Sequence, residues 1–167
     1  VGSFSKSLFP GMRLGYLVGP APFIKEARAL RASVFRHPPG HIQRTAAYFL
    51  SLGHYDALIK RMSKQYEERY LEMEKSLTKF DLTIAGKAQH GGSSFWVETP
   101  KCTNAVKLAQ KLLEMDVVIE PGDPFFVGEN HPKNFIRLAY SSISTNRIAA
   151  GVELIAKAIS DTGPITA

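Results

Sequence analysis

The sequence has one cysteine, one tryptophan and no long apolar run. Because Cys102 has no second cysteine in the chain to pair with, an internal disulfide and a cysteine-based zinc site are excluded. No apolar segment approaches the roughly 20 residues needed to cross a bilayer, and the first residues lack a signal-peptide pattern. We therefore expect no membrane partner, and the low cysteine content favours a reducing compartment such as the cytoplasm.

Acidic residues are also in the minority. The 15 Asp and Glu residues are outnumbered by 21 Lys and Arg, which gives a formal net charge of +6. Such an excess attracts phosphate, a carboxylate substrate or nucleic acid without selecting among them. The apolar fraction of 44% is typical of a globular domain. The chain begins at Val1 and enters a Gly/Ser-rich stretch at once, which predicts a piece of a longer protein with an N-terminal segment missing.

Hydrophobic periodicity predicts an α/β organisation. Helices are predicted over residues 22–35, 41–52 and 55–77, over a fourth segment capped by Thr103 or Asn104, and over a closing segment that begins near Ser144. Strands are predicted over residues 14–18 (mostly buried), 82–85, 94–97, 117–119 and 135–140. The third helix would be on the order of 35 Å long, which suggests that it links two regions. We predict the end of a large domain at 1–53, a linking helix at 54–80, a small α/β domain at 81–160 and a loose tail at 161–167.

The densest chemical signal is the segment GSFSKSLFPGMRLGY at residues 2–16. Its backbone N–H groups, serine hydroxyls and the planar guanidinium of Arg13 suit the oxygens of a phosphate. Lys6 is either a counter-charge or a nucleophile whose pKa is lowered by burial or by a second cation. Solvated loop charges are the alternative. A nucleotide-binding P-loop does not fit, because Ser5 occupies the place of the last glycine in G-x-x-x-x-G-K-[ST].

The string S-F-S-K followed by P-G-x-R-x-G-Y resembles the cofactor-lysine segment of the fold-type I pyridoxal-phosphate enzymes, in the class I/II aminotransferase family. The resemblance implies that Lys6 carries pyridoxal 5'-phosphate covalently and is the catalytic lysine. It also implies that Ser3 and Arg13 bind the phosphate. The implied fold is α/β: the end of the large domain, a long linking helix and the small C-terminal domain of a fold-type I transferase.

A second match, N-F-I-R-L-A-Y-S at residues 134–141, resembles the C-terminal strand of the same family. It implies that Arg137 binds the carboxylate of the substrate. Independently, a guanidinium among apolar strand neighbours requires an anionic partner. A salt bridge with a carboxylate of the protein is the alternative. Glu120 and Asp123 are possible polar neighbours of the ligand, with no role assigned.

Residues 36–43 and 53–69 resemble the aminotransferase-like half of MocR-type regulators, which join a GntR-type winged helix to this fold. Aminoadipate-type aminotransferases share much of the same sequence. The first hypothesis is a pyridoxal-phosphate-dependent aminotransferase acting on an amino acid and a 2-oxo acid. The second is the effector-sensing domain of a MocR/GntR-type transcriptional regulator. DNA is expected as a partner only if this second hypothesis holds. A third is a phosphate- or nucleic-acid-binding module.

The resemblance implies a homodimer, because sites in this family form between subunits. It also implies that an aspartate upstream of the lysine pairs with the pyridine nitrogen of the cofactor. That aspartate is not in this chain. We therefore expect that the chain alone does not transaminate efficiently. The histidines form no i, i+4 pair with a carboxylate base, so no metal is expected. They are His37, His41, His54, His90 and His131.

Overall fold

The computed structural model describes residues 1–86, 92–128 and 130–161. The chain divides into two compact units, Val1–Ser63 and Lys64–Ala167, and the division falls inside the longest helix. His90 and residues 162–167 of the predicted tail lie outside the described residues. The domain limits at 53 and 80 stay a prediction.

The first unit contains two short strands and the helices predicted for it. In chain order these are β1 (Gly2–Ser3), β2 (Gly15–Tyr16), α1 (Ala21–Phe35), α2 (Gly40–Ser51) and the start of α3 (His54–Lys79), with a 3-10 turn at Pro10–Met12 between the strands. Gly53 follows α2 with φ of +74°, a left-handed conformation that glycine adopts without steric cost and that ends the helix. The three predicted helices are confirmed to within two residues at each end.

The strand predicted over residues 14–18 is shorter and more exposed than expected. Only Gly15 and Tyr16 pair, and they pair with the two residues of β1. Tyr16, Leu17 and Val18 are all exposed in this chain. The prediction of a mostly buried strand is therefore wrong for this chain, because apolar character alone does not supply the neighbouring strands that would bury it.

The first unit also presents an apolar surface. None of the residues of α1 is buried, and Phe23, Leu30, Val34 and Phe35 are all exposed on that helix. Several large apolar side chains exposed on one helix are typical of a surface that packs against other protein.

The second unit is an antiparallel sheet covered by helices on one face. Its elements after α3 are β3 (Thr83–Ile84), β4 (Ser94–Glu98), α4 (Ala105–Leu113), β5 (Glu120–Pro121), β6 (Phe135–Ala139) and α5 (Thr145–Ser160). The sheet order is β3-β4-β6-β5. The side chain of Asn104 accepts a hydrogen bond from the Lys107 N–H at 3.1 Å, so Asn104 is the predicted cap of α4.

One strand of this unit was predicted in the wrong place. The apolar run at 117–119 has no ladder partner in the described structure, and pairing with β6 begins only at Glu120, opposite Arg137. Ile119 is buried in the core, whereas Val118 is exposed. Ile119 of this run therefore serves packing, and the strand is formed by the two residues after it, Glu120 and Pro121.

Alternation along β4 and β6 separates two faces of the sheet. Phe95, Val97, Ile136 and Leu138 are buried in one core with residues of the helices. The helical members of this core are Met73 and Leu77 of α3, Ala105, Leu108 and Leu112 of α4, and Ile148, Val152, Ile155 and Ala158 of α5. The intervening strand residues, Trp96 and Arg137 among them, therefore lie on the opposite face.

Two adjacent leucines of α4 test this packing. Leu112 is 0% exposed and Leu113 is 62% exposed. We expect Leu112→Ala to lower the free energy of unfolding of the chain by about 2–5 kcal/mol, because it leaves a cavity in the core. The matched change Leu113→Ala should cost well under half as much, as measured by urea unfolding. Equal losses from the two substitutions would show that the core is misassigned.

Among the described residues, no helix has both the length and the apolar character that a membrane crossing requires.

Candidate functional site

The segment that carries Ser3, Lys6 and Arg13 is a closed loop in the first unit. Gly2 pairs with Tyr16 and Ser3 pairs with Gly15. The ladder continues with the Phe4 N–H, which donates to the Leu14 carbonyl at 3.0 Å. The two ends of the loop are therefore hydrogen-bonded to each other, and the segment between them carries Lys6 and Arg13.

Glycine is required where the two strands of the loop meet. A Cβ on Gly15 would lie 2.8 Å from the carbonyl oxygen of Gly2, which is closer than the packed backbone permits. A side chain at position 15 would therefore displace one of the two strands.

We expect Gly15→Ala to weaken binding of pyridoxal phosphate to the full-length protein by about tenfold or more, because displacement of the strand moves the groups of the loop. Titration of the cofactor followed by absorbance measures this. Gly151→Ala on α5 is the control, since a Cβ there meets nothing within 4 Å. Unchanged affinity in Gly15→Ala would contradict the proposed use of this loop.

Two cationic side chains of the loop, those of Lys6 and Arg13, are available to bind a ligand. The hydroxyl of Ser3 accepts a hydrogen bond from the Ser5 N–H at 3.2 Å, which fixes the direction of that side chain. Lys6 and Arg13 are exposed, and neither side chain has a hydrogen-bond or ion-pair partner within the part of the chain that the structure describes. Arg13 has φ of +48°, a left-handed conformation that costs a non-glycine residue about 1–2 kcal/mol.

This donor set fits pyridoxal phosphate. A primary amine can attack the aldehyde, while a hydroxyl, a guanidinium and loop N–H groups can bind the phosphate. The strained backbone at Arg13 is a local feature of the same loop, and such strain clusters at ligand-binding segments. The roles of Ser3, Lys6 and Arg13 in binding this cofactor nevertheless stay a prediction.

Arg137 lies in the second unit, on the face of the sheet that the helices do not cover. Its Nε donates to the Ser94 hydroxyl at 3.0 Å, and its Nη1 donates to Oε2 of Glu120 in an ion pair. The guanidinium carbon also lies 5.7 Å from the centroid of the Phe125 ring, at a distance suited to a cation–π contact. Arg137 thus forms a salt bridge with a carboxylate of the protein itself. This is the alternative to ligand binding that the sequence left open.

Aromatic rings surround this arginine on the same face. Trp96 stacks on Phe135 with ring centroids 5.6 Å apart and ring planes 15° apart. Phe125 and Phe126 lie against the edges of this pair. The result is an apolar surface beside a charged pair.

A second charged group lies near the aromatic rings. Nζ of Lys133 donates to Oδ2 of Asp123 at 2.9 Å, and His131 Nε2 lies 3.5 Å from the same oxygen. The hydrogen bond from Lys133 is the main cause that lowers the pKa of Asp123 below its usual range. Lys133 therefore has an internal counter-ion.

Sequence reasoning missed the residues that hold Arg137. Ser94 and Phe125 carried no motif, and Glu120 had no assigned role. The available signal was register, because Glu120 is the residue of β5 directly opposite Arg137. Neighbouring strands place directly paired residues on the same face.

The structure brings Ser3, Lys6 and Arg13 together on one loop of the first unit, and it places Arg137 separately in the second. Within residues 1–86, 92–128 and 130–161, no group of three or more His, Cys, Asp and Glu side chains is arranged to hold a metal ion.

Comparison with known proteins identifies the family. The sequence pattern described as "Aminotransferase class I and II" matches residues 1–155. The chain belongs to this family. The resemblance of both motifs to it is therefore confirmed, and so is the predicted fold class of a fold-type I transferase.

Two curated relatives represent two kinds of protein. The chain is 55% identical over 159 residues to the HTH-type transcriptional regulator TauR of Rhodobacter capsulatus, a match that covers 95% of this chain and 33% of that protein. It is 29% identical over 163 residues to the 2-aminoadipate transaminase of Thermus thermophilus, covering 95% of this chain and 40% of that protein. The chain thus spans between a third and two fifths of these relatives.

A solved structure has the same fold. LysN, the alpha-aminoadipate aminotransferase of Thermus thermophilus, was crystallised with N-(5'-phosphopyridoxyl)-L-leucine and aligns with a TM-score of 0.80 at 28% identity. The alignment covers 96% of this chain and 41% of that chain.

Proposed function

We propose that this chain is the ligand-sensing, aminotransferase-like domain of a MocR-type transcriptional regulator. The observation that carries the proposal is the 55% identity to a regulator over 95% of the chain, against 29% to a transaminase over the same share. In this proposal the domain binds pyridoxal phosphate at Lys6 and a carboxylate ligand at Arg137. DNA is contacted by a part of the protein outside this chain.

The residues of the first-unit loop would hold the cofactor. The hydroxyl of Ser3 and the guanidinium of Arg13 bind the phosphate oxygens, and Nζ of Lys6 forms the covalent bond. When bound, pyridoxal phosphate supplies an aldehyde that condenses with amines and a ring that withdraws electrons from them. Lys6 and Arg13 are exposed and have no side-chain partner among the described residues, which supports these roles because neither group must first leave such a partner.

Arg137 would bind the carboxylate of an amino acid or a related amine. A guanidinium binds a carboxylate through two parallel N–H donors, which fixes the orientation of the ligand as well as its position. The hydrogen bond from Nε to Ser94 holds the guanidinium plane in place before the ligand arrives.

Aminotransferase activity is the second candidate, with an amino acid and a 2-oxo acid as substrates. Membership of the family and the similarity to the Thermus thermophilus transaminase favour it. In that case Nζ of Lys6, once released by the incoming amine, would carry the proton at the α-carbon of the substrate as general base and then general acid. The other residues would keep the roles given above.

Family membership also supports a homodimer and a cytoplasmic location for the full-length protein, both of which belong to this proposal. The dimer would give a regulator two DNA-binding segments, in keeping with the two-fold symmetry that paired half-sites require.

The experiment that separates the candidates uses the full-length protein loaded with pyridoxal phosphate. We expect it to bind DNA upstream of a neighbouring gene and to change its affinity for that DNA when an amino acid is added. We also expect far less than one turnover of amino transfer per minute with pairs of amino and 2-oxo acids. Sustained turnover without DNA binding would overturn the regulator proposal and establish the enzyme.

A further inference from the structure

We propose that Glu120 is a specificity-determining residue of the Arg137 site, where it selects ligands with a single carboxylate over ligands with two. The inference rests on the proposed role of Arg137 as the carboxylate-binding residue. Glu120 acts as a built-in counter-ion that an incoming ligand must replace.

The backbone fixes Glu120 beside Arg137. The two residues are direct register partners in the β5–β6 ladder, and the following pair is Pro121 with Ile136. The Gly122 N–H then donates to the Phe135 carbonyl at 2.7 Å. Because pairing continues on the C-terminal side of Glu120, the backbone of Glu120 is held directly opposite Arg137.

The donors of Arg137 are already partly used. Nε is bonded to Ser94 and Nη1 to Glu120, which leaves Nη2 without an acceptor among the described residues. A ligand carboxylate that binds through two parallel N–H groups therefore has to take Nη1 from Glu120 or share it. The side chains can make this exchange, because Arg137 is 31% and Glu120 is 52% exposed.

Charge then decides which ligands are accepted. One incoming carboxylate replaces the carboxylate of Glu120 on the guanidinium. A second carboxylate on the ligand adds another negative charge beside the displaced Glu120, and like charges at short range repel. Lys133, the basic residue described near the aromatic rings, does not offset this repulsion, because it is already paired with Asp123.

The remaining surface of the face favours an uncharged ligand body. Trp96, Phe135 and Phe125 form the aromatic patch beside Arg137. Such rings provide apolar contact for an uncharged part of the ligand and no counter-charge for a second carboxylate.

Isothermal titration of the full-length, cofactor-loaded protein tests the proposal. The probes are butyrate and succinate, which share a four-carbon skeleton, differ by one carboxylate and cannot react with the cofactor because they lack an amine. We expect the wild type to bind butyrate more tightly than succinate. Glu120→Gln should tighten succinate about tenfold and butyrate about threefold, which narrows or inverts the preference.

Two further variants make the result decisive. Glu153→Gln removes the same charge from an exposed position on α5 and should change neither affinity beyond about twofold. Arg137→Ala should weaken the binding of both ligands by about tenfold to a hundredfold. If Arg137→Ala binds as the wild type does, the proposed function of Arg137 fails. If Arg137→Ala weakens binding but Glu120→Gln leaves the ratio of succinate to butyrate affinity unchanged, the role of Glu120 alone is overturned.

Discussion

Lys6→Ala is expected to abolish covalent binding of pyridoxal phosphate to the full-length protein. A methyl group cannot attack the aldehyde, and Ser3 and Arg13 alone leave only the phosphate interactions. We expect the visible absorbance of the bound cofactor to disappear. Residual affinity should be at least about a hundredfold weaker, because one covalent bond is lost while the phosphate contacts remain.

The matched control is Lys60→Ala, which removes an exposed lysine from α3 in the same unit. It should leave the absorbance and the affinity unchanged. If Lys6→Ala retains the absorbance of the wild type, then another amine carries the cofactor and the assignment of the loop is wrong.

Arg137→Ala is expected to weaken carboxylate ligands while it leaves cofactor binding nearly unchanged. Loss of hydrogen bonds to a charged group costs about 1.5–3 kcal/mol, which corresponds to about tenfold to a hundredfold in affinity. Removal of the guanidinium also leaves Glu120 without its partner, and its negative charge then opposes the ligand. Titration with a carboxylate and with pyridoxal phosphate measures the two affinities separately.

Two further substitutions separate geometry from charge. Arg137→Lys keeps the positive charge but loses the planar pair of donors, so we expect affinity between that of the wild type and that of Arg137→Ala. Arg147→Ala on α5 removes an exposed arginine and should have little effect. Equal losses of cofactor and carboxylate affinity in Arg137→Ala would contradict a specific role in carboxylate binding.

The helices and most of the second-unit sheet could be predicted from the sequence because their signals are local. The apolar period of α4 and α5 and the cap at Asn104 depend on residues within one or two turns of each other. Alternation along residues 135–140 likewise predicted β6, which the structure has at Phe135–Ala139.

The pairing register of β5 with β6 could not be predicted from the sequence. Val117–Ile119 reads as a strand by its apolar character, but the pairing with β6 begins at Glu120. Register depends on how two distant segments align, and hydrophobicity along one of them does not determine it. The ion pair of Glu120 with Arg137 follows from that alignment, which is why the arginine was predicted as a ligand-binding residue while its internal partner was not.

For the loop of the first unit, the sequence likewise predicted the chemistry but not the pairing of the strands. Its residue types indicated phosphate and carbonyl chemistry, and its motif resembled a family to which the chain belongs. The closure of the loop through β1 and β2 was not predicted, because each strand has only two residues and no alternation to recognise.

The most direct measurement is borohydride reduction of the full-length, cofactor-loaded protein, followed by peptide mapping by mass spectrometry. Reduction makes the bond between amine and cofactor permanent, so the modified residue can be identified. We predict one stoichiometric label on the peptide that contains Lys6. A label on a different lysine, or no label in a protein that has taken up the cofactor, would contradict the account.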